Sequence, residues 1–167
     1  MGIRTVRTEG DECLRKVCKP VKSVSLRTRI LIEDMFDTMY ESGGVGLAAP
    51  QIGVLKRIVV MDTDDNQHVL INPQILEVSG EQTGYEGCLS IPGKSGIVTR
   101  PDYVKVKALN ERGEEYVLEG EGLLARCICH ECDHLDGILY SDKAEGGLIN
   151  NEDLPEDEEE ELYEDAY

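Results

Sequence analysis

Two histidines four residues apart constrain this chain more than any other feature. From Glu121 onward the sequence runs LLARCICHECDHL, placing His130 and His134 one helical turn apart. At 3.6 residues per turn, positions four apart project from nearly the same face, so a helical run here can place two imidazoles on one metal ion. Gly137 is placed to end that helix. Glu131 sits beside the histidine pair rather than on its face.

The rest of the chain supplies a second helix and many strands. Ser25 followed by LRTRILIEDMFDTMYES reads as an N-cap and a helix to about Ser42, with Leu26, Ile30, Met35, Met39 and Tyr40 near one face. Gly43 and Gly44 break it, and Gly46 lies in a short loop leading to Ala48-Ala49-Pro50-Gln51. Short β-branched runs at 57–61, 68–71 and 74–78 read as three strands. The alternation from Tyr103 to Leu109, the turn Asn110-Glu111-Arg112-Gly113 and the run Tyr116-Val117-Leu118 predict a hairpin with one buried face. Helix, strands, helix without alternating βα units predicts an α+β fold, with antiparallel or mixed sheets around the central histidine helix.

A chain of 167 residues fits one domain that buries roughly two-thirds of its unfolded surface. With no Trp and one Phe, its core must be built from Leu, Ile, Val and Met. The net charge of −17 is uneven. Residues 151–167 hold ten acids and no base, leaving 24 acids against 17 bases, a net of −7, in residues 1–150. The expected organisation is therefore a single domain over 1–150 and a mobile acidic tail over 151–167. A run such as Glu156 to Glu161 repels itself and has little apolar surface to offset the entropy of ordering. It reads as a solubilising end or a docking tail for a basic partner. A net-negative domain is repelled by phosphate, which argues against nucleic-acid binding.

No segment approaches the ~20 apolar residues of a membrane span, and the amino terminus lacks the apolar run of a signal peptide. Gly2 does not complete a myristoylation signal, because Val6 stands where Ser or Thr is needed. A cytoplasmic protein with reduced thiols is expected, so the six cysteines are read as metal ligands or packing groups rather than disulfides.

His130-Glu131-Cys132-Asp133-His134 satisfies H-E-x-x-H. Two imidazoles hold the metal, and the carboxylate between them can take a proton from an activated water and deliver it to a leaving amine. The competing reading is a chance pattern in which both histidines merely satisfy core hydrogen bonds. Two histidines also leave the ion short of the three protein ligands usual for a catalytic site. His68 falls in a predicted strand with no reason to choose it, and the cysteines are better candidates. Cys127 lies three residues before His130. Cys129 and Cys132 have CxxC spacing, but well inside a helix, where a redox or structural zinc role is disfavoured and packing is expected.

Two further segments, Gly44-Val45-Gly46-Leu47-Ala48-Ala49-Pro50-Gln51 and Glu86-Gly87-Cys88-Leu89-Ser90, precede HECDHLDG. All three in this order resemble the motifs of peptide deformylases, over a stretch from the Leu14-Arg15-Lys16 region to about Lys143. The resemblance implies the small α+β deformylase fold and hydrolysis of the formyl group from N-formylmethionyl peptides. It implies Cys88, His130 and His134 as metal ligands, Glu131 as general acid and base, and Gln51 with the Leu89 backbone N–H as oxyanion donors.

The same resemblance implies Fe²⁺ as the ion, with Zn²⁺, Ni²⁺ or Co²⁺ able to occupy the site. Gly44, Val45 and Gly46 would meet the substrate backbone, and Val45, Leu123, Arg126 and Cys127 would surround the methionine side chain. Glu86 and Arg100 would brace the ligand loop, with Asp133 turned from the metal in a supporting role. Cys129 departs from the pattern, which has Gln there. The chain also lacks a basic C-terminal helix of the kind that grips ribosomal RNA, so a transient ribosome association would need another route. The alternatives are another H-E-x-x-H metallopeptidase and a non-catalytic metal- or partner-binding module of the same fold.

Overall fold

The structure, a computed structural model, describes residues 2–154. Helix α1 spans Leu26–Glu41 and helix α2 Leu123–Leu135. The Ser25 hydroxyl accepts from the Thr28 N–H, so α1 begins at the predicted cap. Its buried face differs from the predicted one. Leu31, Ile32, Met35, Thr38 and Met39 are buried, whereas Leu26, Ile30 and Tyr40 are exposed. The helix rests on the sheet through its middle turns, and Tyr40 turns its hydroxyl to Asp62 and Gln67 instead of its ring to the core.

The strands are β1 Gly46–Ala48, β2 Ile58–Thr63, β3 Asn66–Ser79, β4 Gln82–Cys88, β5 Ile91–Arg100, β6 Tyr103–Leu109, β7 Glu115–Glu121 and β8 Glu145–Asn150. They form a five-stranded sheet in the order β1-β2-β3-β6-β7 and a three-stranded sheet in the order β4-β5-β8. All pairings between these strands are antiparallel. The hairpin predicted at 103–118 is β6 and β7. The strands predicted separately at 68–71 and 74–78 are one strand, β3, bent where its register to β6 shifts between Ile71 and Gln74. Asn72 makes the bend at φ 52°, and its amide both accepts from the Val21 N–H and donates to the Val21 carbonyl, at 2.8 Å each.

Strand β2 is buried on both faces, and its alternation divides the core. Val59 and Met61 face α2 with Leu70, Val104, Val106, Ala125, Ile128 and Leu135. Ile58 and Val60 face α1 with Leu31, Met35, Met39 and Leu47. A third cluster, Leu14, Cys88, Ile91, Val98, Leu139 and Tyr140, packs on the small sheet. Helix α2 thus lies between the two sheets. Its C-terminal end is held by Cys18 N–H and Arg57 Nη1, which donate to the Leu135 carbonyl at 2.8 and 3.1 Å.

Ordered structure continues past residue 150. Asn151–Asp153 form a 3₁₀ turn, Asn151 pairs with the Ser95 hydroxyl, and Leu154 is buried. The acidic run 156–161 lies outside the described residues. Among the described residues no helix is long and apolar enough to cross a membrane.

Candidate active site

The central turns of α2 are polar yet buried. His130, Glu131 and His134 are at most 2% exposed. Cys88 ends β4 on the small sheet and is also buried. The fold brings the Cys88 thiol and the two imidazoles together with ligand atoms all within 4.8 Å of one another. The Cys88 sulfur lies 3.4 Å from His134 Nε2, and the two imidazole rings are 5.1 Å apart at 68°. His68, on β3, is outside this cluster.

Glu86, two residues before Cys88, organises the cluster from below. Its fully buried carboxylate receives Arg100 Nε and Nη2 at 2.9 and 3.0 Å, Arg126 Nη1 at 2.6 Å and His130 Nδ1 at 2.8 Å. Burial alone would raise its pKa, but His130 and Arg100 outweigh burial and hold it far below the usual carboxylate range. An ionised carboxylate only accepts, so His130 Nδ1 carries a proton toward Glu86. Arg100 also donates to Asp133 at 2.7 Å, and Lys143 reaches Asp133 at 2.9 Å. Asp133 is thereby joined through Arg100 to the Glu86 network. The Arg126 guanidinium is committed to Glu86 and to the Val98 and Gln82 carbonyls, a role absent from the sequence expectation.

Glu131 is the opposite case. Both carboxylate oxygens are buried with no hydrogen-bond partner among the described residues. Burial pushes its pKa up to about 7, with His130 opposing and Glu86 adding to the rise. Gly46 lies directly against it. A Cβ there would stand 2.6 Å from Glu131 Oε2 and 2.8 Å from Cys127 Sγ, so only glycine lets the start of β1 approach this closely. Neighbouring Val45 fixes its carbonyl on the Asp62 N–H at 2.9 Å, and Gly44 hangs from the end of α1 through its N–H to Met39. Leu123 and Cys127 pack in the α2 core beside Val45, and burial keeps the Cys127 thiol well above its ordinary pKa.

Gln51 sits in the 3₁₀ turn Ala49–Ile52 that follows β1. Its Oε1 accepts from the Ala48 N–H at 2.9 Å, which aims Nε2 at Ser90 Oγ, 3.1 Å away, and at Cys88 Sγ, 3.6 Å away. Leu89 lies between Cys88 and Ser90 at the tip of the β4–β5 turn. Sequence reasoning had passed over Ser90, and also Tyr140, whose ring stacks on His130 at 5.9 Å and whose hydroxyl donates to the Lys94 carbonyl. Both are buried hydroxyls near motif residues, a signal spacing alone does not give. Cys129 is buried beside the core, where burial pushes its thiol up to about 11, with Arg100 opposing.

A cation fits this pocket. A thiol and two imidazoles converge beside a buried carboxylate, and His134 Nδ1 also has no hydrogen-bond partner among the described residues. The histidines shift in opposite directions. Burial disfavours charge on His130, but contacts with Cys88 and Glu86 prevail and raise it to about 10. Burial and the neighbouring His130 drive His134 well below its ordinary value. The surroundings thus favour one positive charge, not two, among Cys88, Glu86 and Glu131.

Residues 3–147 match the family model described as polypeptide deformylase. The chain belongs to the polypeptide deformylase family. A peptide deformylase of Agathobacter rectalis is 59% identical over 158 residues, covering 93% of this chain and all of that relative. The peptide deformylase structure from Legionella pneumophila superimposes with a TM-score of 0.84 at 47% identity, over 87% of this chain and 88% of that one. The Thermotoga maritima peptide deformylase gives 0.85 at 42% identity, over 87% and 99%. As a polypeptide deformylase the protein is a metal-dependent hydrolase that removes the formyl group from nascent peptides, on the α+β fold expected from its sequence.

Proposed function

We propose that Cys88, His130 and His134 hold one divalent ion, Fe²⁺ in the cell, and that Glu131 moves the protons of the deformylation step. Zn²⁺, Ni²⁺ or Co²⁺ can take the same donors, since thiolate and imidazole suit each of them. When bound, the ion supplies Lewis-acid polarisation of the formyl carbonyl and lowers the pKa of a water to about 7. The observation that carries the reading is the buried, unpartnered Glu131 carboxylate beside the three converging ligand groups.

Glu131, with its pKa raised to about 7, can both accept and return a proton near neutrality. It takes the proton as water adds to the formyl carbon and delivers it to the amide nitrogen as the C–N bond breaks. The products are formate and a peptide with a free amino terminus. Gln51 Nε2 and the Leu89 N–H donate to the oxygen on which negative charge develops. Glu86, held ionised by Arg100 and Arg126, keeps the His130 proton on Nδ1, so Nε2 remains the ligand atom.

The substrate is an N-formylmethionyl peptide. Its backbone lies extended along Gly44, Val45 and Gly46, where the absent Gly46 side chain allows close approach to Glu131. The methionine side chain enters between Val45, Leu123, Cys127 and the aliphatic stem of Arg126, with a pliant thioether suited to such a wall. The setting is the cytoplasm, where nascent chains emerge, with any ribosome association transient and made without a basic helix.

Formyl-Met-Ala-Ser and Met-Ala-Ser separate this reading from a peptidase. The expected result is formate release from the first and no cleavage of the second. Cleavage of the Met-Ala bond in both would replace it with a peptidase assignment.

A further inference from the structure

The segment before the first motif touches both catalytic loops. Residues 7–9 pass between the turn that carries Gln51 and the β4–β5 turn that carries Leu89 and Ser90, and a turn closed by the Asp11 N–H on the Thr8 carbonyl follows. The Arg7 N–H donates to the Gln51 carbonyl at 2.6 Å, and the Glu9 N–H donates to the Ser90 carbonyl at 2.8 Å. One intervening residue, Thr8, separates the two donors, so a single short stretch of backbone holds both turns. The two carbonyls are thus held at a separation set by three residues of backbone.

Both ends of the segment are anchored. Upstream, the Gly2 N–H and the Arg4 guanidinium bond to the buried carboxylate of Asp34 on α1, and the Arg4 N–H bonds to Thr38. Downstream, Leu14 is buried in the same cluster as Cys88. The segment therefore ties the α1 side of the molecule to the small sheet. Gln51 follows β1 of the large sheet, whereas Ser90 and Leu89 belong to the small one. The other links between the two turns given by the hydrogen bonds above run from Gln51 Nε2 to Ser90 Oγ and to Cys88 Sγ.

We propose that residues 7–9 are a positioning strap, whose two backbone N–H groups set the spacing between Gln51 and Leu89, the two oxyanion donors. The inference rests on the deformylase reading above. Arg7 and Glu9 are positioning residues that act through their backbones and do not touch the substrate. The strap governs the transition state more than substrate capture, because the Val45 loop and the methionine pocket lie outside it.

Proline replacements test it, since each removes one N–H. Arg7→Pro and Glu9→Pro are expected to lower kcat for formyl-Met-Ala-Ser by about 10- to 100-fold, the cost of misplacing a catalytic group by an ångström or so. KM and bound-metal content should stay near wild type. Thr8→Pro removes an N–H between the two ties and should leave kcat near wild type. Unchanged kcat in both Arg7→Pro and Glu9→Pro overturns the strap, as does an equal fall in all three variants accompanied by metal loss. If the proline variants do not fold, amide hydrogen exchange on the wild-type holoenzyme decides. Protection of the Arg7 and Glu9 amides supports the strap, and exchange of either at an unprotected rate overturns it. Absence of formate release by the wild-type enzyme would instead sink the deformylase reading itself.

Discussion

Glu86 and Glu131 show how two carboxylates in one helix-and-strand junction acquire different work. Glu86 is surrounded by donors from Arg100, Arg126 and His130 and stays ionised, whereas Glu131 meets none among the described residues and rises toward neutrality. Replacing Glu86 leaves two buried guanidiniums without their shared counter-charge. Glu86→Gln should therefore destabilise the protein by about 3–5 kcal/mol in a denaturant titration of the metal-loaded protein. A change below about 1 kcal/mol would show that the network is not stabilising in this sense. Gln51 makes a different demand. Its amide is pre-aimed by the Ala48 N–H, so Gln51→Ala should lower kcat by about 10²–10³ with little effect on stability. Kinetics and thermal melting on the same sample separate the two effects.

At the scale of elements, α2 was the most readable part of the chain, because its i, i+4 histidines, apolar run and Gly137 stop agree with one another. Gly137 adopts φ +76°, and a Cβ there would stand 2.5 Å from the Arg15 carbonyl oxygen, so its place as a stop is also a packing requirement. The buried face of α1 was misread because Leu26 and Ile30 keep helical spacing while overhanging the sheet. Strands β4, β5 and β8 escaped the reading altogether, and the segment from Gly46, expected as a loop, is strand β1 paired with β2. Segment 91–100 contains Pro92, Gly93 and Gly96, residues that suggest turns rather than a strand paired on both sides. The Arg126 contacts were unreadable for another reason. They join α2 to β4 and β5 over sequence separations of 40 and 28 residues, and local pattern carries no trace of that.

The tie between α1 and the amino-terminal segment has a pH signature. Burial tends to raise the Asp34 carboxyl, but Arg4 and the Gly2 N–H outweigh it and hold it below the ordinary range. A depressed folded-state pKa contributes stability that is present above the unfolded value of about 3.9 and is lost as pH falls through the folded value. The melting-temperature advantage of wild type over Asp34→Asn should shrink as pH drops below about 4. An advantage that stays constant from neutral pH to that range would show that Asp34 stabilises by some other means.

For the molecule as a whole, the proposed catalytic constellation exists only where two sheets meet a helix. Cys88 comes from the small sheet, Gln51 from the turn after β1, and His130, Glu131 and His134 from α2. Three sequence motifs in order pointed to this assembly, while the groups that hold it, Arg126, Ser90, Tyr140 and residues 7–9, emerge only from the folded geometry. The proposed pairing of Fe²⁺ with the Cys88 thiolate places two oxidisable centres in one site. Anaerobically prepared, iron-loaded enzyme should lose activity on exposure to air or peroxide, and the Zn²⁺-loaded form should lose less. Equal resistance of both forms would argue against iron.

The central claim is that Glu131 moves the proton in deformylation beside an intact ligand set. Its most direct test is formate release from formyl-Met-Ala-Ser by metal-replete Glu131→Ala, with bound metal measured on the same sample. The expected result is a fall in kcat of about 10²–10⁴ with the metal retained. Formate release at the wild-type rate with a full metal complement would contradict it.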